Sequence, residues 1–356
     1  MSGCFVIAEA GVNHNGSLDM ALRLVDAAAE AGADAVKFQS FRADRLVTAR
    51  AHKVAYQREA TGSGGSQLEM LRALELDEGK HYRIAEHCRA RGIEFMSTPF
   101  DHESLALLLS VGVKRLKIPS GEITNGPLIF DAARSGLPVI LSTGMSTLGE
   151  IEEALAVLAA GYVGEAPRPA ASLRDALARP GARDLLAGRV TILHCTSVYP
   201  APVSLANLRA MDTIAGAFGL PVGYSDHTPG IAVSIAAAAR GASVIEKHFT
   251  LDCGLPGPDH RASLEPAAMR TMIAAIRDTV AALGDAHKAP AEPEFEIRSA
   301  ARKSLVAARR IERGAPLQAA DLTAKRPAGG VSPMEYWMLL GRPAARAYDP
   351  DDPIER

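Results

Sequence analysis

The sequence predicts an α/β fold, a closed (β/α)8 barrel followed by a small, mostly β second domain. Three observations carry this expectation. Eight short apolar runs rich in β-branched residues alternate with stretches of helical periodicity, the pattern of βα units, and eight such units complete a TIM barrel. Each run ends in a burst of polar residues, culminating in Ser225-Asp226-His227 and Glu246-Lys247-His248. The 356 residues also exceed the roughly 250 that such a barrel uses, which leaves about a hundred for insertions, a linker and a second domain.

The strands are expected at 5–8, 35–38, 94–97, 115–118, 138–141, 190–193, 221–224 and 244–246. Between them, apolar residues recur at helical spacings of three and four, as in Leu18, Leu22, Val25 and Ala29. Ser17, Asp101 and Ser146 stand where helices should start, because their side-chain oxygens can accept from the free amides of a first turn. Glycines such as Gly32, Gly92 and Gly112 stand where helices should end in a left-handed cap. Two stretches break the rhythm. Gly62-Ser63-Gly64-Gly65-Ser66 reads as a mobile loop after the second strand, on the face where a barrel keeps its chemistry, whereas 161–188 belongs to the opposite, stabilising face. The catalytic barrel is expected over 1–284, a linker over 285–300 in which the stretch from Gly284 to Pro293, with Pro290, reads as extended, and a compact block of short strands and turns over 301–356. A domain that small is marginal alone and is expected to lean on another surface.

Hydrophobic residues make up 47% of the chain, charged residues 22%, and the formal charge is −2, values of an ordinary globular protein with a large core. No basic tract points to nucleic acid. Cys4, Cys88, Cys195 and Cys253 form no close pair, which argues against a structural zinc or a disulfide framework and suits a reducing cytoplasm. The N-terminus carries no secretory pattern, and the alanine-rich stretch 230–239 is too short to span a bilayer.

In a barrel, side chains at the C-terminal strand ends converge on one pocket. Here they are Glu9, Asn13 and His14; Lys37 and Gln39; Ser97 and Thr98; Lys117, Ser120 and Glu122; Ser142 and Thr143; His194, Thr196, Ser197 and Tyr199; Ser225 and His227; and His248. Lys37 and Lys117, with the hydroxyls of Thr98, Ser120 and Ser225, suit a phosphate or a phosphorylated acid. The alternatives are lysines paired with Glu9 and Glu122, or a Schiff-base lysine. His227 and His248 end adjacent strands at nearly one height, so both imidazoles can reach one borderline cation acting as a Lewis acid; otherwise each is a structural histidine.

The strings Ile7-Ala8-Glu9-Ala10-Gly11-Val12-Asn13-His14-Asn15-Gly16, Val36-Lys37-Phe38-Gln39, Ser97-Thr98-Pro99-Phe100, Lys117-Ile118-Pro119-Ser120-Gly121-Glu122, Ser225-Asp226-His227-Thr228, Glu246-Lys247-His248-Phe249-Thr250 and Pro256-Gly257-Pro258-Asp259-His260 resemble the sialic (nonulosonic) acid synthases. The tail with Lys325-Arg326-Pro327 resembles their C-terminal antifreeze-like (SAF) domain. The resemblance implies condensation of phosphoenolpyruvate with an open-chain N-acylated amino sugar, with C–O cleavage and release of phosphate, to give a nine-carbon 2-keto acid. It implies a divalent ion, manganese first with cobalt or magnesium as alternatives, on His227 and His248. Phosphoenolpyruvate would be held by Lys37, Thr98, Lys117, Ser120, Ser197 and Ser225, and protons handled by Glu9 and Glu122. The sugar would meet Gln39, Tyr199, Asp259 and Arg326, the last supplied in a swapped homodimer whose tail domain caps the partner's barrel. Where some members carry Asn, this chain has Ser197.

The leading expectation is an N-acetylneuraminate synthase acting on N-acetylmannosamine. The alternative is an N,N'-diacetyllegionaminate synthase acting on 2,4-diacetamido-2,4,6-trideoxymannose. A carbohydrate- or ice-binding protein with a scaffold barrel is opposed by the filled set of polar strand ends, since a scaffold needs no such convergence. A metal-dependent isomerase or hydrolase would be separated by phosphate release.

Overall fold

A computed structural model describes residues 3–62, 64–164, 177 and 180–356. The chain divides into two compact units, Met1–Gly284 and Asp285–Arg356. In the first, strands β1 (Phe5–Gly11), β2 (Ala35–Ser40), β3 (Glu94–Pro99), β4 (Leu116–Ile118), β5 (Val139–Ser142), β6 (Val190–Cys195), β7 (Val222–Asp226) and β8 (Val244–His248) pair in parallel in the order β3-β2-β1-β8-β7-β6-β5-β4. Strands β3 and β4 lie side by side, so the ring comes round on itself as expected.

Strand alternation sorts side chains to the two faces of this sheet. Outward residues such as Val6, Phe38, Ile118, Ile192 and Ile245 pack on the helical layer through Leu24, Leu108, Ile129 and Ile273. Inward, Ile7, Ala35, Met96, Ile140, Leu193 and Val244 form an apolar floor inside the barrel. Two residues further along the same six strands stand Glu9, Lys37, Thr98, Ser142, Cys195 and Glu246. One step of the pleat repeat therefore converts a greasy plug into a polar layer. The strands run two or three residues beyond their expected C-terminal ends at β1, β2, β3, β6, β7 and β8, because these polar residues still occupy ladder positions while breaking the apolar run.

Ser17 and Asp101 cap the helices Leu18–Ala31 and His102–Val111. The expected cap at Ser146 moves one residue: Thr147 accepts from the Glu150 amide while Glu150 accepts from the Thr147 amide, a reciprocal box that Ser146 cannot form with its own third neighbour, Gly149. Gly32, at φ 85°, closes the first helix in the left-handed region as expected. The glycine-rich connection after β2 is not a bare loop. It carries the short helices Ala43–Leu46, Ala55–Thr61 and Gln67–Arg72, the last capped by Ser66, and Leu71 and Leu74 join Val12, Phe41 and Ala43 in a small apolar cluster; Ser63 lies outside the described residues. Of the 161–188 connection, 165–176 and 178–179 lie outside them, and Ala182–Ala187 is helical. Among the described residues, no helix is long and apolar enough to cross a membrane.

In the second unit β9 (Ser304–Ala307) pairs antiparallel with β10 (Leu322–Lys325), over a core including Leu305, Ile311, Leu317, Leu339, Tyr348 and Ile354. Beyond the stretch Gly284–Pro293 expected to be extended, a helix forms at Glu294–Ala301. Pro293 precedes it where a missing amide costs nothing, and so marks a start rather than a spacer.

Candidate active site

The polar layer opens into a cavity of about 770 Å³ lined by residues from all eight strand ends or the loops after them. Its floor is a four-membered ion cluster. The Lys37 ammonium lies 2.5 Å from Glu9 Oε2 and 3.6 Å from Glu246 Oε2, and Lys117 lies 3.0 Å from Glu246 Oε1. Lys37 also donates to Thr98 Oγ1 at 3.1 Å, Ser225 to Glu246 Oε1 at 2.9 Å, and Gln39 to Glu9 Oε1 at 3.4 Å. The two ammonium groups thus already grip one carboxylate, and both carboxylates and both lysines are buried.

Burial alone would push both carboxyls up, yet the two part company. At Glu246 the charges and hydrogen bonds of Lys117 and Lys37, with the Ser225 hydroxyl, overcome desolvation and hold the carboxyl below the usual range. Glu9 has only Lys37 as a close cation. Burial, reinforced by the charge of Glu246, prevails there and pushes its carboxyl up to about 7. Lys37, desolvated but flanked by two carboxylates, is held above its ordinary value. Two carboxyls pushed apart by their surroundings are the usual basis for dividing proton transfer from charge anchoring.

Higher in the cavity the His227 and His248 rings lie 5.4 Å apart between centroids, with Tyr199 4.1 Å from the first and 5.7 Å from the second. His227 Nδ1 donates to the Thr196 carbonyl at 2.8 Å, which leaves the Nε2 lone pair as its ligating atom. Burial, with His227 and Lys37 nearby, holds His248 well below its ordinary value and hence neutral; its Nδ1 is buried without a partner among the described residues. Those donors suit a divalent ion. No group of three or more His, Cys, Asp or Glu able to hold a metal occurs among the described residues.

The structure brings together most of the expected set: Glu9, Lys37, Gln39, Thr98, Lys117, Ser120, Ser197, Tyr199, Ser225, His227, His248 and Asp259 all line this cavity. Burial pushes the Asp259 carboxyl up to about 6 against the opposing charge of His227. At one side Gly144 donates to Ser120 Oγ at 2.9 Å, and a Cβ there would stand 2.1 Å from Ser197 Oγ, so a side chain at this position would push the Ser197 hydroxyl out of its place.

Glu122 is not among the lining residues. Pro119 ends the ladder, and the 3-10 turn Ser120–Glu122 directs this carboxylate to Asn125, which donates to it at 2.7 Å. Its expected place beside the lysines belongs to Glu246, whose role sequence reading missed although Val244, Glu246 and His248 share one strand face. Arg326 lies in the second unit, exposed, beside Glu296 and Ile297. His194 turns outward to the Ala206 carbonyl. Asn13 donates to the Phe249 carbonyl and to Ser263, while Thr250 and Asn15 flank His260; these polar motif residues tie the loop carrying Asp259 to the loop after β1. Asp226 and Lys247, central in the two histidine motifs, face outward as a fully buried pair at 2.9 Å.

Residues 24–288 match the family described as NeuB family and residues 302–355 the SAF domain. The chain is 48% identical over 338 residues to the N,N'-diacetyllegionaminic acid synthase of Legionella pneumophila, covering 95% of this chain and 89% of that one. It is 46% identical to the protein of the same name from Campylobacter jejuni, covering 99% of each. A crystal structure of N-acetylneuraminic acid (sialic acid) synthetase from Leptospira borgpetersenii, in complex with citrate, superposes with a TM-score of 0.66 at 34% identity, covering 83% of this chain and 90% of that one. With this fold, this strand-end set and these relatives, the chain belongs to the NeuB family of nonulosonic acid synthases, phosphoenolpyruvate-dependent transferases, and carries a C-terminal SAF domain.

Proposed function

We propose that the chain condenses phosphoenolpyruvate with open-chain 2,4-diacetamido-2,4,6-trideoxymannose to give N,N'-diacetyllegionaminate and phosphate. The observation that carries the chemistry is that Lys37, Lys117, His227 and His248 all line one cavity. The two relatives at 46% and 48% identity, both named for legionaminic acid, favour this sugar over the N-acetylmannosamine expected first, since the structure named for neuraminic acid stands at 34%.

In this reading Lys37 and Lys117, with Thr98, Ser120, Ser197 and Ser225, hold the phosphate and carboxylate of phosphoenolpyruvate at the floor. The enol π pair forms the bond from C3 to the aldehyde carbon, whose oxygen takes up a proton. Water then adds its oxygen to C2 and loses a proton; phosphate leaves with the C2–O bond pair as the remaining hydroxyl gives up its proton to it and becomes the ketone. A divalent cation on His227 and His248, manganese first and cobalt or magnesium otherwise, supplies polarisation of the aldehyde oxygen. Glu9 is the group poised to hold or pass a proton at the added water, because its carboxyl is pushed up to about 7. Glu246 keeps both lysines in place. Gln39, Tyr199 and Asp259 orient the sugar.

The same proposal includes a homodimer in which the tail domain of each chain brings Arg326 to the partner's sugar. Its support is that Arg326 is exposed and that Trp337 and Met334, at 73% and 81% exposure, present apolar surface on the tail unit. Action in the cytoplasm, where phosphoenolpyruvate is made, belongs to this reading too. A coupled phosphate-release assay decides the substrate. The diacetamido sugar is expected to give the higher kcat/KM, and a preference for N-acetylmannosamine would restore the neuraminate reading.

A further inference from the structure

The proposed substrate differs from N-acetylmannosamine at two places far from its aldehyde: an acetamido group replaces the C4 hydroxyl, and a methyl replaces the C6 hydroxymethyl. We infer that the connection between β2 and β3 reads both differences, with the Gln57 amide donating to the C4 acyl carbonyl and Val47 and Met70 packing on the C6 methyl; this rests on the condensation proposed above.

The charged floor and the imidazoles fix where the reacting end of the sugar lies, so its other end must meet the remaining walls. One of those walls comes from this connection, through Leu46, Val47, Val54, Met70, Leu71 and Leu74. Behind it Leu71 and Leu74 pack with Val12, Phe41 and Ala43 as a small core, so the wall is backed by packed side chains. The same connection also lends Gln57, Glu59 and Gln67 to the cavity; against its apolar part, at Val47 and Met70, a hydroxyl gives up water for a side chain that offers it no hydrogen bond, whereas a methyl group gains burial.

The wall holds one buried polar side chain with a spare donor. Gln57 Oε1 accepts from the Val54 amide at 3.1 Å and from Gln67 Nε2 at 3.3 Å, which commits its oxygen; its Nε2 has no partner among the described residues, and the residue lines the cavity. Thr61 donates to the Gln57 main-chain carbonyl at 2.7 Å and lies 3.8 Å from Met70 Sδ, and Gln67, whose amide meets the Gln57 side chain, stands one turn before Met70 on the same helix, so the spare amide and the apolar patch are neighbours. A donor beside a methyl-sized apolar surface is complementary to an acylamino group next to a deoxy terminus.

The test uses four mannose-derived 2-acetamido sugars that combine hydroxyl or acetamido at C4 with hydroxymethyl or methyl at C6. The unsubstituted protein is expected to prefer the methyl by about 10- to 100-fold in kcat/KM, the range open to an apolar pocket discriminating one hydroxyl, and to prefer the acetamido by at least about tenfold. Met70→Gln and Val47→Thr, both close to isosteric, should each cut the C6 preference several-fold and leave the C4 preference standing. Gln57→Glu keeps the acceptor for Val54 and replaces the donor, so it should cut the C4 preference about tenfold and spare the C6 preference. KM for phosphoenolpyruvate should stay within about twofold throughout, and melting temperatures check folding. Indifference to C6 in both C4 series, or variants that leave both ratios unchanged, overturns the inference. If the protein instead favours the C4 hydroxyl, the proposed substrate and the Gln57 assignment fall, while a C6 preference within the hydroxyl pair still upholds the apolar wall.

Discussion

Replacing Glu9 with glutamine tests whether this carboxyl is a tuned proton carrier or a permanently ionised partner of Lys37. Glu9 is 2% exposed, and its carboxyl rises from 4.5 to about 7 because desolvation, with the charge of Glu246 added, outweighs Lys37. A carboxyl raised on folding binds its proton more tightly in the folded chain. Its contribution to stability is therefore complete below about 4.5 and is lost as pH rises through about 7. At 1.36 kcal/mol per unit, that interval corresponds to roughly 3 kcal/mol. Glutamine imitates the protonated form and bears no such loss.

Urea unfolding of the parent and of Glu9→Gln, followed from about pH 4.5 to about pH 8, should thus show the stability gap moving by roughly 3 kcal/mol in favour of the variant as pH rises. Taking the difference cancels Asp259, raised to about 6, and His14, lowered to about 3 by burial, because both titrate in each protein. In thermal melts the same shift amounts to about 4–5 °C. Turnover should fall by about two to four orders of magnitude, the usual worth of a positioned proton carrier. A gap that does not change with pH would mean that Glu9 stays ionised throughout and that the 2.5 Å contact with Lys37 dominates its burial, which would remove it as the carrier.

Stripping divalent ions with a chelator should abolish turnover and manganese should restore it, while His248→Ala should lose manganese in equilibrium dialysis with an unchanged circular dichroism spectrum; full metal retention would dissociate the imidazole pair from the ion. Lys247 also donates to the Thr228 carbonyl. Asp226→Asn leaves the ammonium of Lys247 buried against an uncharged amide, where Oδ2 now stands 2.9 Å away, and should cost about 3–5 kcal/mol in urea unfolding; a loss below about 1 kcal/mol would show that the Thr228 carbonyl alone satisfies Lys247. Arg326→Ala should raise KM for the sugar more than KM for phosphoenolpyruvate, and equal changes would deny it a place on the sugar side.

Strand alternation explains both what was legible in the sequence and what was not. The apolar half of each strand announces itself, because Ile7, Ala35, Met96, Ile140, Leu193 and Val244 must fill the barrel. The polar half reads as the end of the strand, although the ladder continues through it, as in the pairing of Glu9 with Lys37 on one side and His248 on the other. Once that continuation is allowed, Lys37, Thr98 and Ser142 follow by counting two from an apolar neighbour, and so would Glu246. Glu122 was misplaced because proximity in sequence to Lys117 survives Pro119 but strand geometry does not. Asn13 and His14 looked chemical because they are polar and follow the first strand, yet Asn13 donates to Phe249 and Ser263 of another loop and His14 accepts from Gly16 of its own. Nothing in a one-dimensional pattern distinguishes a residue that touches substrate from one that holds the loop presenting it.

Charge balance links the groups of the floor into one device. With Glu9 protonated, Lys37 and Lys117 face the single charge of Glu246, and the cage carries one net positive charge. Phosphoenolpyruvate brings about three negative charges at neutral pH, and the proposed cation on the imidazoles would bring two positive ones, so floor, anion and cation would together sum to zero where an uncompensated charge is costly, with the Asp259 carboxyl higher in the cavity as a further negative charge above about pH 6. Removing the proton or the ion leaves a buried excess of negative charge. A stronger cationic cradle without Glu246 would bind the anion more tightly but would hold product phosphate just as firmly. The carboxylate between the lysines is therefore best understood as the stand-in that keeps both ammonium groups in register when no anion is bound, which is why it sits on the same inward face as the residues it organises.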